Sequence, residues 1–219
     1  SERSGWGHLY LYDLKTGELK NAITTGDWLV RNVVHYEGKR REVFLQTAGR
    51  DPGKDPYYRD LVRVNIDTGE LLALADSNHD IEAYSTQSTS TNEWSGFNIN
   101  GVSPDGNYAV VTPSRVDTVP VTYLLDRQGQ MVMTIEEADI SRLPKGFQWP
   151  EPVKTLAADG KTDIYGVLYR PSDFSEDKSY PVVNHVLNNP ASTFAAKSAF
   201  NIHWWSTFSS AAIAELGFV

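Results

Sequence analysis

The sequence contains no cysteine, which excludes disulfide bonds, zinc sites built on thiolates and a cysteine nucleophile. It also lacks any apolar run near the roughly 20 residues that a membrane-spanning helix needs. Basic residues are outnumbered by acidic ones, 20 against 28, and the formal net charge is −8. The densest basic run, Lys39–Arg41, falls in a predicted turn, so nucleic acid is not expected as a partner.

What the sequence does contain is typical of a globular protein. Hydrophobic residues make up 40% and charged residues 22% of the 219 positions, enough for one large or two modest domains. The chain opens with Ser1 rather than methionine, and a new apolar strand is predicted to begin at Leu216–Val219. We therefore expect the sequence to be a piece of a longer protein, in which case a missing signal peptide carries no information.

Three loosely similar stretches each place an apolar strand before a turn that contains glycine. The glycines Gly17, Gly69 and Gly129 are 52 and 60 residues apart, slightly above the roughly 40 to 50 residues of common propeller blades. Aspartate stands four, two and three residues before them. Because glycine supplies a positive φ and aspartate tolerates a turn, the pattern predicts hairpins. It fits a repeated blade and also ordinary hairpins of any antiparallel sheet.

Short apolar runs separated by turn signals predict strands up to residue 135. The first two, 8–12 and 18–24, would form half of a four-stranded unit. The predicted strands of two complete units are 28–35, 43–47, 61–66 and 71–75, then 97–102, 108–112, 121–125 and 131–135. The polar segment 77–94 is predicted to be a long connection. Since no helix is predicted between these strands, radially stacked sheets are favoured over a sandwich.

The pattern changes after the last of these strands. Residues 135–143 are predicted to be a short helical or turn-like stretch that ends at Pro144. The predicted elements that follow are strands at 153–157, 164–169 and a mostly buried 180–187, and a helix at 204–216. Gly217 is a natural stop for that helix. The switch in apolar period from 2 to 3.6 predicts a second domain, of α/β type, beginning near Gln148.

Six stretches of the chain carry a family resemblance. They are 1–13 (SERSGWGHLYLYD), 25–28 (TGDW), 55–64 (DPYYRDLVRV), 103–108 (SPDGNY), 159–166 (DGKTDIYG) and 180–183 (YPVV). In this order the series resembles the dipeptidyl-peptidase branch of the prolyl oligopeptidase superfamily, serine peptidases that join a β-propeller to an α/β-hydrolase domain. SPDG alone occurs in many propellers, whereas the whole series spans nearly all of the chain and is specific.

The resemblance implies a mostly β fold: the C-terminal blades of a β-propeller, built of four-stranded antiparallel sheets, followed by the N-terminal part of an α/β-hydrolase domain. The implied boundaries are a partial propeller of about two and a half blades at 1–135, a linker at 136–148 and a truncated hydrolase domain at 149–219. The family's catalytic serine, acid and histidine are expected beyond Val219. No Gly-x-Ser-x-Gly sequence occurs in the chain, so the chain alone is predicted to be inactive.

The resemblance also implies an activity for the whole protein. We expect it to release dipeptides from the amino terminus of peptide substrates through an acyl-enzyme, without a cofactor or metal. A periplasmic or extracellular location is implied, and a homodimer is left open. The alternative hypothesis is a propeller-based binding protein whose hydrolase domain has lost its chemistry.

One family site falls inside the chain, in a loop after the Tyr-Pro-Val-Val strand. Relatives place there a tyrosine whose hydroxyl donates to the oxyanion, whereas this sequence has Leu187, followed by Asn188 and Asn189. Leucine cannot donate a hydrogen bond, and loss of one oxyanion donor costs about 10² to 10³ in rate. Three interpretations stay open: an active enzyme whose hole uses the backbone N–H after the serine and the Asn188 amide, a weakened or inactive homologue, and misalignment of this loop.

Residues that could suggest other chemistry are interpreted as structural. The five histidines, His8, His35, His79, His185 and His203, have no HExxH-type spacing, so zinc is not expected. The adjacent His79 and Asp80 are interpreted as a surface pair. His185 is predicted to orient the oxyanion loop rather than to transfer a proton.

Three further features have a structural and a functional interpretation. Glu136 and Glu137 are adjacent rather than convergent, so a solvated linker is favoured over an acid–base pair. Trp205, beside Trp204, falls on one predicted helix stripe with Phe208, Ala212 and Leu216, so packing is favoured over an aromatic ligand box. The polar insertion 48–58 could reach a substrate cavity or a second subunit, and the sequence does not choose between them.

Overall fold

Short antiparallel strands make up most of the described chain. The computed structural model describes residues 1–83, 101–185, 197–199 and 207–219. The strands are β1 (Tyr10–Tyr12), β2 (Leu19–Ala22), β3 (Leu29–Glu37), β4 (Glu42–Ala48), β5 (Arg59–Asn65), β6 (Leu71–Ala75), β7 (Asp80–Glu82), β8 (Tyr108–Ser114), β9 (Val121–Asp126), β10 (Met131–Glu137), β11 (Glu151–Leu156) and β12 (Asp163–Leu168). Within these ranges there is one helix, α1 (Thr207–Glu215).

The chain divides into two units. The first comprises Ser1–Pro113 with Val121–Glu137, and the second comprises Ser114–Pro120 with Ala138–Val219. Strands β11 and β12 and helix α1 belong to the second unit. None of the described helices has the length and apolarity to span a bilayer.

Sheet I is a four-stranded antiparallel sheet of the first unit, in the order β3-β4-β5-β6. Its strand β4 is buried at every position and pairs with β5 in an unbroken register from Glu42↔Asn65 to Ala48↔Arg59. Successive side chains of a strand point to opposite faces, so Leu45 lies on one face and Phe44 on the other. Both faces of sheet I are therefore apolar.

An apolar cluster covers each face of sheet I. One consists of Ile23, Val43, Leu45, Val62, Val64 and Ile66, with Leu9 and Leu11 packed against it. The other consists of Val34, Phe44, Leu61, Leu74, Ile81, Ala83, Val102, Ala109, Val111 and Leu125. The first cluster joins sheet I to the β1–β2 hairpin, and the second joins it to the next sheet. Each fully buried Leu, Val or Phe contributes roughly 1.5–3 kcal/mol.

Sheet II has the order β10-β9-β8-β7 and is also four-stranded. The two sheets confirm the prediction of successive four-stranded antiparallel units. Strand β7 lies inside 77–94, so the prediction that this whole segment is a connection is wrong. Strand β7 has three residues, of which only Ile81 is apolar, and this is too short for an alternation of apolar and polar side chains to be recognised in the sequence. Of the predicted strand 97–102, residues 97–100 lie outside the described ranges, and Val102 forms an isolated bridge with Ala109.

The three glycine turns join β1 to β2, β5 to β6 and β9 to β10. Gly17, Gly69 and Gly129 all have φ between 72° and 79°, as the sequence predicts. In each turn a side-chain Oδ1 atom accepts two backbone N–H groups, and the accepting residues are Asp13, Asn65 and Asp126. The equivalent residue in the second turn is thus Asn65, four residues before the glycine, and not the aspartate two residues before it.

Charged side chains connect the two sheets where apolar packing ends. The Glu42 carboxylate of sheet I accepts hydrogen bonds from Arg63 Nη1 at 2.7 Å and from Arg127 Nη2 of the β9–β10 turn at 2.5 Å. Arg59 of β5 binds the Asp80 carboxylate of β7 through Nε at 2.8 Å and through Nη2. These ion pairs are largely buried, since the five side chains are 3% to 27% exposed.

Strand β10 runs two residues further than predicted. Glu136 pairs with Thr122 and Glu137 with Val121, both are exposed, and turns follow at Leu143 N to Ile140 O and at Phe147 N to Pro144 O. The interpretation of Glu136 and Glu137 as a linker is therefore wrong, because the ladder with β9 continues through them. The turn-like prediction for the stretch after them is confirmed.

The second unit contains the predicted β11–β12 hairpin. Its register runs from Glu151↔Leu168 to Leu156↔Asp163. Asp159 Oδ1 accepts the N–H groups of Lys161 and Thr162, both at 2.9 Å, and thereby shapes the turn between the strands. The prediction of two strands joined at this aspartate is confirmed.

Helix α1 lies within the predicted range, but it buries another face. Ala212 and Leu216, which the predicted stripe places inside, are exposed, whereas Ala214 is 3% exposed. Trp205 lies outside the described residues. Glu215 accepts hydrogen bonds from Ser172 N at 3.0 Å and Ser172 Oγ at 2.9 Å. These hydrogen bonds attach the C-terminal end of α1 to the chain after β12.

Candidate functional site

The segment before the predicted oxyanion loop is paired with the last residues of the chain. Val219 N donates to Pro181 O at 3.0 Å, and Val183 N donates to Val219 O at 2.9 Å. Hydrogen bonds from one residue to both neighbours of Val182 are the pattern of a parallel β bridge. Helix α1 lies between the two hydrogen-bonded segments in sequence.

The exposure of this segment differs from the prediction. Residues 181–185 are all exposed, and Val182 is 73% exposed, so the prediction of a mostly buried strand is wrong. An apolar run is buried only where another element packs against it, and the sequence alone does not show whether one does. His185 lies at the exposed end of the segment. Leu187, Asn188 and Asn189, the predicted oxyanion residues, lie outside the described residues.

A serine of the second unit holds the segment that follows this loop in sequence. Ser114 is 1% exposed, and its Oγ accepts a hydrogen bond from Ala199 N at 3.0 Å. The same hydroxyl lies 3.2 Å from the carbonyl oxygens of Arg115 and Thr118, to either of which it can donate. Val116 is also buried, at 3% exposed. The connection between β8 and β9 therefore serves as an anchor, a role that its sequence does not reveal.

His8 is buried in a complete hydrogen-bond network of the first unit. Its Nε2 lies 2.9 Å from Gly26 O, which can only accept, so Nε2 carries a proton. Its Nδ1 lies 3.0 Å from Thr24 Oγ1, which itself accepts from Leu9 N at 3.1 Å. The hydroxyl therefore donates to Nδ1, and the ring also contacts Trp28 edge to face. Both ring nitrogens are used structurally.

The interpretation of His79 and Asp80 as a surface pair is wrong. Asp80 is 2% exposed and is held by Arg59, while His79 Nδ1 lies 3.2 Å from Ser77 Oγ. The two side chains point to different partners, because successive residues entering a strand face opposite sides. Within the described ranges, no three His, Asp or Glu side chains come close enough together to hold a metal ion.

An ionic cluster in the polar insertion was not predicted. It consists of Arg50 and Lys54 in the β4–β5 loop (residues 49–58), Asp60 of β5 and Asp76 after β6. The Asp60 side chain is 5% exposed and lies 3.6 Å from Arg50 Nη1 and 3.9 Å from Lys54 Nζ. Burial raises the pKa of the Asp60 carboxyl to about 6, and the nearby Asp76 carboxylate acts in the same direction. A carboxyl with this pKa changes charge within the range of physiological pH.

Stacked four-stranded antiparallel sheets define the class of the first unit as a β-propeller region, and known proteins identify the family. The family model described as the dipeptidyl peptidase IV N-terminal region matches residues 1–121. The chain is 29% identical to a protein of Aspergillus flavus assigned as a dipeptidyl peptidase 4, over 187 residues or 84% of its length. An Aspergillus fumigatus protein with the same assignment is 24% identical over 201 residues, 90% of the chain.

Solved structures agree in fold. A Bacteroides ovatus protein assigned as a dipeptidyl aminopeptidase IV matches with a TM-score of 0.71 and 20% identity over 100% of this chain and 30% of its own. The Porphyromonas gingivalis dipeptidyl peptidase 4 matches with a TM-score of 0.60 and 22% identity over 83% of this chain and 23% of its own.

The chain belongs to the dipeptidyl peptidase IV family, the dipeptidyl-peptidase branch of the prolyl oligopeptidase superfamily. It is thus a member of a peptidase family. The chain spans only 21% and 24% of the lengths of the two Aspergillus proteins.

Proposed function

We propose that this chain is part of a serine peptidase that releases dipeptides from the amino terminus of peptides through an acyl-enzyme. In this proposal, residues 1–137 are propeller blades, since β10 ends at Glu137, 138–148 are a linker and 149–219 are the first part of an α/β-hydrolase domain. The nucleophile and its partners belong to other parts of the protein, so the chain alone does not hydrolyse peptides. The observation that carries the proposal is the family match over residues 1–121.

The second unit supports the hydrolase part of the proposal. Parallel strands cannot be joined by a tight turn and need a crossover connection, which is usually a helix. The bridge between 181–183 and Val219, with α1 between them in sequence, meets this requirement. A βαβ arrangement is the repeating unit of α/β domains.

The sequence limits which catalytic parts the chain can supply. A serine of this superfamily acts from a Gly-x-Ser-x-Gly turn, with a histidine as base and an acid that orients it. The chain has no such sequence. Its proposed contribution to catalysis is the loop at Leu187, Asn188 and Asn189, which would face the oxyanion and offer an amide donor at Asn188.

Turnover by the full-length protein tests the proposal. We expect the full-length protein to release the chromophore from a Gly-Pro-anilide, and a serine-directed fluorophosphonate to stop the reaction by covalent labelling. The 219-residue chain alone should show no turnover. Absence of turnover and of labelling at high concentration of the full-length protein would contradict the proposal and support a binding protein with a degenerate hydrolase domain.

The leucine at position 187, in place of a donor to the oxyanion, favours the binding protein with a degenerate hydrolase domain. Replacing Leu187 distinguishes this function from that of an active peptidase. If a missing oxyanion donor limits the rate, Leu187→Tyr in the full-length protein should raise kcat at least about tenfold, because one donor accounts for roughly 10² to 10³ in rate. Leu187→Phe is the matched control, since it adds the ring without the hydroxyl. An equal effect of both replacements, or no effect of tyrosine, would show that another group already stabilises the oxyanion.

A further inference from the structure

The turn between β8 and β9, residues 115–118, is held in one shape by its own contacts. Thr118 N donates to Arg115 O at 3.1 Å, and the Arg115 guanidinium binds Asp117 through Nε at 2.9 Å and through Nη2 at 3.0 Å. Thr118 Oγ1 also donates to Asp117 Oδ1 at 3.3 Å. The carbonyl oxygens of Arg115 and Thr118 are therefore fixed, and each lies 3.2 Å from Ser114 Oγ.

The two carbonyl oxygens in turn orient the hydroxyl of Ser114. A hydroxyl has one proton to donate and carbonyl oxygens can only accept, so the Ser114 proton goes to one of the two. The lone pairs of Oγ remain for Ala199 N, which donates at 3.0 Å. Ser114, Ser198 and Ala199 are 1%, 6% and 8% exposed. Because a buried N–H group that loses its acceptor is costly, this hydrogen bond holds the backbone at Ala199 in place.

The segment 197–199 has a second attachment within the same unit. Lys197 Nζ lies 5.9 Å from the centre of the Tyr165 ring, on β12. Lys154 Nζ of β11 lies 5.5 Å from the centre of the same ring and 2.9 Å from the Asp163 carboxylate. A cation within about 6 Å of a tyrosine ring is attracted to its face. The β8–β9 turn thus holds the segment through its backbone, and the β11–β12 hairpin holds it through a side chain.

The chain that precedes this segment is also attached at its other end. Val183 N donates to Val219 O at 2.9 Å. Residues 184–198 therefore lie between two hydrogen-bonded backbone positions, and they include the proposed oxyanion residues Leu187, Asn188 and Asn189. A stretch attached at both ends has fewer conformations available to it than one attached at a single end. The hydrogen bond between Ser114 and Ala199 supplies the second of these attachments.

We propose that Ser114 is a positioning residue for the oxyanion loop, an inference that rests on the proposed function. Its hydroxyl acts through Ala199: it fixes the C-terminal end of residues 184–198 and so limits where the Asn188 amide can lie. A donor to the oxyanion is effective only when it is in place before the charge develops. Displacement of such a group by about 1 Å can cost roughly 10²-fold in rate, so loss of the hydroxyl should lower kcat.

Ser114→Ala in the full-length protein tests this role, with a Gly-Pro-anilide as substrate. We expect kcat to fall about tenfold while KM stays within about twofold, because an oxyanion donor acts in the transition state rather than on substrate binding. Hydrogen exchange should show about tenfold lower protection at residues 197–199, with β8 and β11 unchanged. An unchanged kcat, a rise in KM without a fall in kcat, or unchanged protection at 197–199 would overturn the inference.

Further variants make the result specific to the Ser114 hydroxyl. Ser114→Thr keeps the hydroxyl and should retain both kcat and the protection at 197–199, whereas retained protection with a low kcat would contradict a role in catalysis. Thr162→Val is the control, because it removes an exposed hydroxyl of the same unit that donates to Asp159 at 2.5 Å, and it should match the wild type. If Ser114→Ala does not fold, as shown by lost protection of β8, Ser114→Cys replaces it, because a thiol is a weak acceptor. An unchanged kcat in Ser114→Cys would then contradict the inference.

The wild-type protein distinguishes failure of this inference from failure of the proposed function. Absence of turnover by the wild type contradicts the proposed function, and with it a positioning role for Ser114. Turnover by the wild type together with an unchanged kcat in Ser114→Ala contradicts the positioning role alone.

Discussion

Glu42→Gln should lower the free energy of unfolding of the propeller blades by about 3 kcal/mol, the cost of leaving buried charges without their partner. Glu42 pairs with both Arg63 and Arg127, and the three side chains are 12% to 18% exposed. Glutamine keeps the shape of glutamate but not its charge. The variant would therefore leave two guanidinium groups facing each other at the contact between sheets I and II.

The cost can be measured as the local free energy of opening from hydrogen exchange of β4 and β9 in the full-length protein. Asp67→Asn is the matched control, since Asp67 binds Arg41 at 2.7 Å but both side chains are about half exposed. Exposed ion pairs contribute about 1 kcal/mol or less. Equal losses in the two variants would show that burial does not govern these pairs.

Gly129→Ala should destabilise the contact between the sheets by about 3 kcal/mol. Gly129 has a φ of 79°, a conformation that costs an L-residue about 1–2 kcal/mol. An added Cβ would also lie 2.6 Å from Leu74 O and 2.9 Å from Leu74 Cα, which are backbone atoms of β6 and cannot rotate away. The β9–β10 turn would have to move off sheet I.

Gly17→Ala separates the two causes. Gly17 has nearly the same φ, 72°, in an equivalent turn, but a Cβ there would meet nothing within 4 Å. Its replacement should cost only the backbone strain of about 1 kcal/mol. The loss of stability in each variant is measured as the local free energy of opening, from hydrogen exchange of the hairpin that the turn closes. If both variants lose the same stability, the close approach to Leu74 is not important.

Strand positions were predictable because their signal is local. The short apolar run and the preceding turn residues predict β4 at 43–47, and the structure has it at Glu42–Ala48. The glycine turns were predictable for the same reason, since glycine adopts a positive φ without the steric cost that other residues incur. Strand β7 was missed because it has only three residues, and its place in sheet II depends on the neighbouring β8 rather than on its own sequence.

The candidate sites depended more on partners distant in sequence. The pKa of Asp60 is raised by burial and also by Asp76, 16 residues later, and no pattern in the sequence pairs the two residues. Ser114 likewise shows its role only when Ala199 is placed beside it. The interpretation of Leu187 came from a family resemblance, and its position remains a prediction.

The sequence by itself determined the class of this protein. Without cysteine or a long apolar run, its short alternating strands and glycine turns predict stacked antiparallel sheets, and its ordered motifs predict the dipeptidyl peptidase IV family. Only the tertiary structure decided which atoms surround residues that occupy similar turns. Gly17 and Gly129 occupy the same kind of turn, yet one faces open space and the other faces β6. Backbone conformation is set by neighbours in the chain, whereas burial, repulsion and close contact are set by residues that folding brings together.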